Sequence, residues 1–256
     1  MKKKIISLCL VIALVATAIA GATLAYFTDT DDATNTFTVG NVDIELEEPS
    51  WDPEDKHNIM PGAYFPKDPT ITVAADSEDC YVFLDVTLNK YKSLFPIIAM
   101  NAVADGDLES IEPYMVNDKF STKTFLDSFY EGGDMAKLRT ILDKWFVGIT
   151  HGDWAIKDFY YDVARDDVEG TGNWLTLRLA YIGGEEDGKL SAEESVQFMK
   201  AFTMPDTVTE AMIDNGLTQN AFYEGGEFII DFTAYAIQAQ ELDDVDAAYT
   251  AYFAQN

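Results

Sequence analysis

Apolar and polar positions alternate with a two-residue period along several stretches of this chain, and that period predicts strands. Phe37 and Val39 alternate with polar neighbours, as do Val42, Ile44 and Leu46, and the phase changes across Gly40-Asn41. Two half-buried strand pieces around a bulge or turn fit this pattern. Residues 47–69, with five of the eight prolines, read as a loop or irregular edge. Further strands are expected at 70–74, 80–89 (CYVFLDVTLN), 154–163 (WAIKDFYYDV), 174–182 (WLTLRLAYI), 196–204 (VQFMKAFTM) and 227–238 (EFIIDFTAYAIQ). The period changes between about 90 and 145. There Met135, Leu138, Ile141, Leu142, Trp145 and Phe146 step by three and four, and Gly132-Gly133 separates them from Phe125, Leu126 and Phe129. This region reads as a helical insertion between strands. Thr207-Val208-Thr209-Glu210 offers a capping box for a short helix ending near Gly216. Residues 243–254 predict a short amphipathic C-terminal helix presenting Val245, Tyr249, Tyr252 and Phe253. Long strands with Gly-rich turns point to a mainly β fold, a β-sandwich with helical decorations.

The first 25 residues stand apart. Met1-Lys2-Lys3-Lys4 precedes an apolar run, ISLCLVIALVATAIA, and the exit reads Ala22-Thr23-Leu24-Ala25. A basic start, an apolar middle and a small-residue exit describe a secretory signal peptide cut between Ala25 and Tyr26. The uncharged run is also long enough to serve as an uncleaved anchor. Cleavage leaves one domain, residues 26–256, with no internal repeat and no low-complexity linker. It also leaves Cys80 as the sole cysteine, inside an apolar strand pattern, where a buried inert thiol is expected.

Charge narrows the function. Forty-five Asp and Glu against 17 Lys and Arg give a net charge of −28. That excludes nucleic acid as a partner, since phosphate contacts need clustered Lys and Arg, and disfavours an anionic membrane face. The 13% aromatic content separates the chain from disordered acidic tails. Catalytic motifs are scarce. His57 and His151 are the two histidines, no HExxH occurs, and no nucleophile elbow, Walker A or dinucleotide fingerprint is present. The expectation is a protein that is not an enzyme, with no cofactor. Residues 183–194 have calcium-like spacing: Glu185, Asp187, a central Gly188, Ser191 and a closing Glu194. The first ligand position is Gly183, which has no side-chain oxygen, so a solvated acidic turn is the favoured reading and calcium the one candidate ion.

The N-terminal run ATLAYFTDTDDATNTFTVGNVDIELEE resembles the start of the TasA/camelysin family of exported proteins, which a dedicated signal peptidase, SipW, processes. The matching elements are Ala25, the pair Tyr26-Phe27, Phe37, Gly40-Asn41, Val42-Asp43-Ile44 and, further on, Met60-Pro61-Gly62. The closing FTAYAIQAQELDDVDAAYTAYF is similar to the last strand and tail of SipW-dependent proteins, while roughly 90–170 departs from the pattern. The resemblance implies a jelly-roll-like β-sandwich, secreted to the cell surface or biofilm matrix and assembled into fibres. In such fibres one subunit's N-terminal strand completes the next subunit's sheet, which makes Phe37 and Val39 the donor-strand candidates and further copies of the chain, with other matrix proteins, the partners. Pairing of residues 26–46 within their own chain is the plain alternative. A surface adhesin or ligand-binding module is the first rival function. A secreted metallopeptidase is the second, because camelysin-type members are also classed as such, although no zinc constellation matches here.

Overall fold

The structure, a computed structural model, describes residues 28–32, 35–37, 41–51, 60–149, 153–162, 174–184, 188–214 and 228–253. In chain order the strands begin with β1 (Thr28–Asp32), β2 (Asn35–Phe37), β3 (Ile44–Glu47), β4 (Tyr64–Pro66), β5 (Thr70–Val73) and β6 (Cys80–Leu88). Helix α1 (Tyr91–Ala104) follows, then a small hairpin of β7 (Met115–Val116) and β8 (Lys119–Phe120), then α2 (Thr122–Gly132) and α3 (Met135–Asp143). The second half holds β9 (Phe146–Val147), β10 (Trp154–Asp162), β11 (Trp174–Tyr181), β12 (Lys189–Leu190), β13 (Ser195–Gln197) and β14 (Ala201–Thr203). It closes with α4 (Glu210–Asp214), β15 (Ile230–Gln238) and α5 (Val245–Phe253).

A seven-stranded antiparallel sheet forms the centre, in the order β10-β11-β6-β15-β1-β2, with β12 also paired to β6. Two three-stranded sheets, β13-β5-β3 and β4-β14-β9, stand beside it. Every residue of β6 is buried, as expected of a strand covered on both faces, and its near-continuous apolar sequence follows from that. Alternate side chains serve different layers. Cys80, Val82, Leu84, Val86 and Leu88 enter the main core with the helical insertion and the small sheets. Tyr81 and Phe83 enter a second cluster under α5, with Ile237, Ala248 and Tyr252.

This architecture overturns the expected jelly-roll β-sandwich. The fold is a mixed α/β arrangement of open sheets with five α-helices among the described residues. A jelly roll needs a second sheet closing over the first. Here much of that place is taken by the insertion, whose Leu94, Phe95, Ile97, Ile98, Phe125 and Leu126 are fully buried. Burying such a side chain contributes roughly 1.5–3 kcal/mol, so the helices act as a principal wall of the core. The predicted strand at 196–204 is two strands in different sheets, β13 and β14.

Local signals inside the insertion act as the sequence suggests. Ser121 caps α2, its hydroxyl accepting from the Thr124 N–H at 3.1 Å. Gly133, at φ 71°, ends the helix in the left-handed conformation, and the Asp134 N–H returns to the Phe129 carbonyl at 2.9 Å. Asp134 then opens α3 as its cap. Helix α5 starts the same way, with Asp244 accepting from the Ala247 N–H at 2.8 Å.

Candidate functional site

The side of β15 away from β6 is where the N-terminal segment meets the central sheet. β1 runs antiparallel to β15 in the register Thr28↔Ile237 through Asp32↔Thr233, and β2 folds back on β1 with Thr30↔Phe37. The sequence of β1 is TDTDD. It carries no apolar side chain, and its main chain pairs with β15 on one side and β2 on the other.

Anchoring changes at Asn41. The Asn41 carbonyl accepts from the Glu78 N–H at 2.8 Å, the Asp43 carbonyl accepts from Ala74 at 2.9 Å, and the Asp43 N–H donates to Ser77 Oγ at 3.2 Å. Val42 and Ile44 are buried, and β3 pairs with β5 in the register Ile44↔Val73. Beyond β3 the chain crosses Lys67, which is only 6% exposed. Its ammonium lies 2.7 Å from Glu48 Oε1, 4.4 Å from the centre of the Trp51 ring and 5.2 Å from that of Phe232 on β15. Ser50 holds Asp68 through its N–H and its hydroxyl, at 2.8 and 2.7 Å. Burial pushes the Glu48 carboxyl above its ordinary range against the pull of Lys67. Thus residues 41–51 are fixed to the body through β3, Lys67 and Asp68, while β1 joins it by pairing with β15 and β2 folds back on β1.

On the opposite side of β15 lies β6, with an ionic knot under α5. Asp85 is 2% exposed. It receives Arg178 Nε at 2.7 Å, Arg178 Nη2 at 2.6 Å, the Tyr160 hydroxyl at 2.7 Å and the Tyr235 hydroxyl at 3.2 Å. The Arg178 guanidinium sits 3.7 Å from the centre of the Phe253 ring on α5, a cation–π contact. Burial works against that charge, but Asp85 more than offsets it and holds the guanidinium above its usual value. Burial and the neighbouring carboxylate push the Tyr160 phenol up to about 12. The knot joins β10, β11, β6 and β15 to the last turn of the C-terminal helix; nothing in the sequence pattern announces it except an Asp inside an apolar strand.

The residues singled out from sequence are placed unevenly. Phe37 lies on β2, the outermost strand, one strand removed from β15. Val39, the Ala25–Tyr26 junction, His57, His151, Glu185 and Asp187 lie outside the described residues. Of the calcium candidate, Ser191 and Glu194 are seen, and they face each other in a turn: Glu194 Oε2 accepts from the Ser191 N–H at 2.7 Å. Gly188 is required for another reason, because a Cβ there would lie 2.5 Å from the Tyr181 carbonyl oxygen. Among the described residues no group of three or more His, Cys, Asp or Glu converges as a metal site. Cys80 is fully buried, and burial pushes its thiol up to about 12, which makes it the inert group expected.

Comparison with known proteins gives one match. The family model described as "Camelysin metallo-endopeptidase" matches residues 1–78, from the N-terminal apolar run through the turn after β5. No curated protein and no solved structure matches the chain. The likeness therefore reaches the N-terminal hairpin and its anchor but not the helical insertion or the β10–β15 half. The family's description overturns the expectation of a chain without enzymatic activity, since what it names is a peptidase.

Proposed function

We propose that this chain is an exported component of a matrix or cell surface that self-associates by passing its N-terminal hairpin to the β15 edge of the next copy. The observation that carries the reading is the seating of β1: an N-terminal strand without apolar residues, paired along five positions of β15, with side-chain and backbone anchors to the body described from Asn41. Pairing within one chain and pairing between two chains would use the same ladder, so the exchange changes few contacts, as in other swapped elements. Because donor and acceptor are different surfaces, the contact is head-to-tail and does not close, which yields a filament. The basic and apolar start of the chain and the match over residues 1–78 support export.

Disulfide trapping tests this. The register puts Asp32 opposite Thr233. In a C80A background, processed chains carrying D32C or T233C alone are mixed and oxidised; exchange gives a D32C–T233C heterodimer, and the double variant in one chain gives a ladder of disulfide-linked oligomers. Crosslinking of the double variant strictly within each chain, with no heterodimer from the mixture, overturns the reading.

A second reading, an exported metallo-endopeptidase, is favoured by the description of the matched family. It requires at least three converging ligands. Casein cleavage by the purified chain that a chelator abolishes and zinc restores would establish it.

A further inference from the structure

A pocket of about 260 Å³ opens between the start of β10, the end of β11 and the β13–β14 connection, on the part of the molecule that the family match does not reach. Its polar wall is built by Asp153, Tyr181, Ser195, Gln197 and Lys200, with Trp154 behind them. Trp154 is fixed: its Nε1–H donates to the Gln197 carbonyl at 3.2 Å, and its ring meets Tyr181 edge-on with centroids 5.5 Å apart. Tyr181 is 7% exposed and lines the pocket. Among the described residues Asp153 and Lys200 line the pocket from exposed positions, although the chain carries 45 acids for 17 bases. Ser195 is committed, its hydroxyl sharing a 2.8 Å hydrogen bond with Thr72.

Two glycines shape this wall. A Cβ at Gly183 would lie 2.8 Å from Asp153 Oδ1 and 2.9 Å from Tyr181 Oη. Glycine is therefore what lets the carboxylate and the phenol approach one another. Gly148, at φ 101°, lets the Lys200 side chain lie against the backbone, with Cγ 3.4 Å from where a Cβ would stand. Burial and the charges of Asp153 and Glu194 push the Tyr181 phenol up, so at neutral pH it is a donor.

We infer that this pocket binds one neutral sugar ring, a hexose or N-acetylhexosamine unit, through Asp153, Tyr181, Gln197 and Lys200. The volume lies below the roughly 300–1,000 Å³ of drug-sized ligand sites, which suits a single ring and excludes a nucleotide. A carboxylate in the wall and the −28 net charge oppose an anion, and the Lys200 ammonium opposes a bare cation. Acceptor, amide, phenol and ammonium side by side match the alternating donors and acceptors of vicinal hydroxyls. The inference does not depend on strand exchange.

The test is saturation-transfer NMR and calorimetric titration of the chain with glucose, galactose and N-acetylglucosamine, with glycine as a zwitterionic control. At least one sugar should bind saturably, and Y181F, D153N and G183A should each weaken it about tenfold or more, the equivalent of about 1.4 kcal/mol. K200M and D153N, both at exposed positions, carry the same expectation should Y181F or G183A fail to fold, judged by thermal melting. Absence of saturable binding by all three sugars, unchanged affinity in the folded variants, or binding of glycine without any sugar overturns the inference.

Discussion

The Asp85 carboxylate is satisfied by Arg178, Tyr160 and Tyr235 in a place that admits almost no water. Such a pair is weak evidence for stability when compared with an apolar replacement, but breaking it from one side leaves a buried charge. R178M should therefore lower stability by about 3–5 kcal/mol in urea unfolding, and the double variant D85L/R178M should recover a substantial part of that loss. A double variant as unstable as the single one would show that the knot's geometry, and not its charge balance, matters. Cys80 supports a pH prediction. Its folded thiol is raised from 9.0 to about 12 by burial, so the unfolded chain gives up its proton first. The stabilisation is complete below pH 9 and is lost as pH rises toward 12. Between these limits the urea midpoint should fall, at up to about 1.4 kcal/mol per pH unit, and C80A should flatten that slope.

Among the elements, α5 and the β1–β2 hairpin are both terminal, but the contacts predict opposite responses to removal. α5 covers Phe83, with Tyr249 and Phe253 in edge-on contact with its ring at 5.8 and 5.3 Å, and Phe253 also covers Arg178. A chain ending at Asp244 should expose this aromatic face, lose several kcal/mol and aggregate on heating. The sequence of β1, TDTDD, offers no apolar side chain of that kind. A chain beginning at Asn41 should melt within a few degrees of the intact form, because β3, Val42 and the Glu48–Lys67–Trp51 contacts remain. Under the proposed function it should also fail to extend filaments in electron microscopy.

The whole molecule carries its negative charge into any assembly. Loss of residues 1–25 would remove three lysines and no acids, so a processed chain is more acidic still, and β1 brings Asp29, Asp31 and Asp32 to the acceptor edge of its neighbour. Screening acts over about 10 Å at 0.1 M salt. Light scattering should therefore show association that strengthens as sodium chloride is raised. The ionic knot, being buried, should respond little over the same range. Association that weakens with salt would mean that ion pairs between copies, not main-chain pairing, join the subunits.

The two-residue period was enough to locate β5, β6, β10, β11 and β15 nearly to the residue, because a strand buried on one or both faces must place apolar side chains at fixed parity. The three-and-four spacing likewise marked α3, and Gly132-Gly133 marked its boundary with α2, since a glycine end to a helix is local chemistry. What period cannot say is which layer a buried face meets. Leu94, Phe95 and Phe125 would look the same beneath a second sheet or, as here, as much of the wall over the first, and the jelly-roll expectation failed on that point. The split of 196–204 into two sheets has the same cause: pairing partners are chosen across long sequence distances. The Asp85–Arg178 knot joins residues 93 positions apart, and the pocket joins Asp153 to Tyr181 and Lys200 through two glycines that in sequence are only turn residues. Composition and local spacing determined the acidity, the elements and the inert thiol. Only the tertiary structure decided what those elements face, because burial of a charge and the approach of two backbones are properties of the assembled chain.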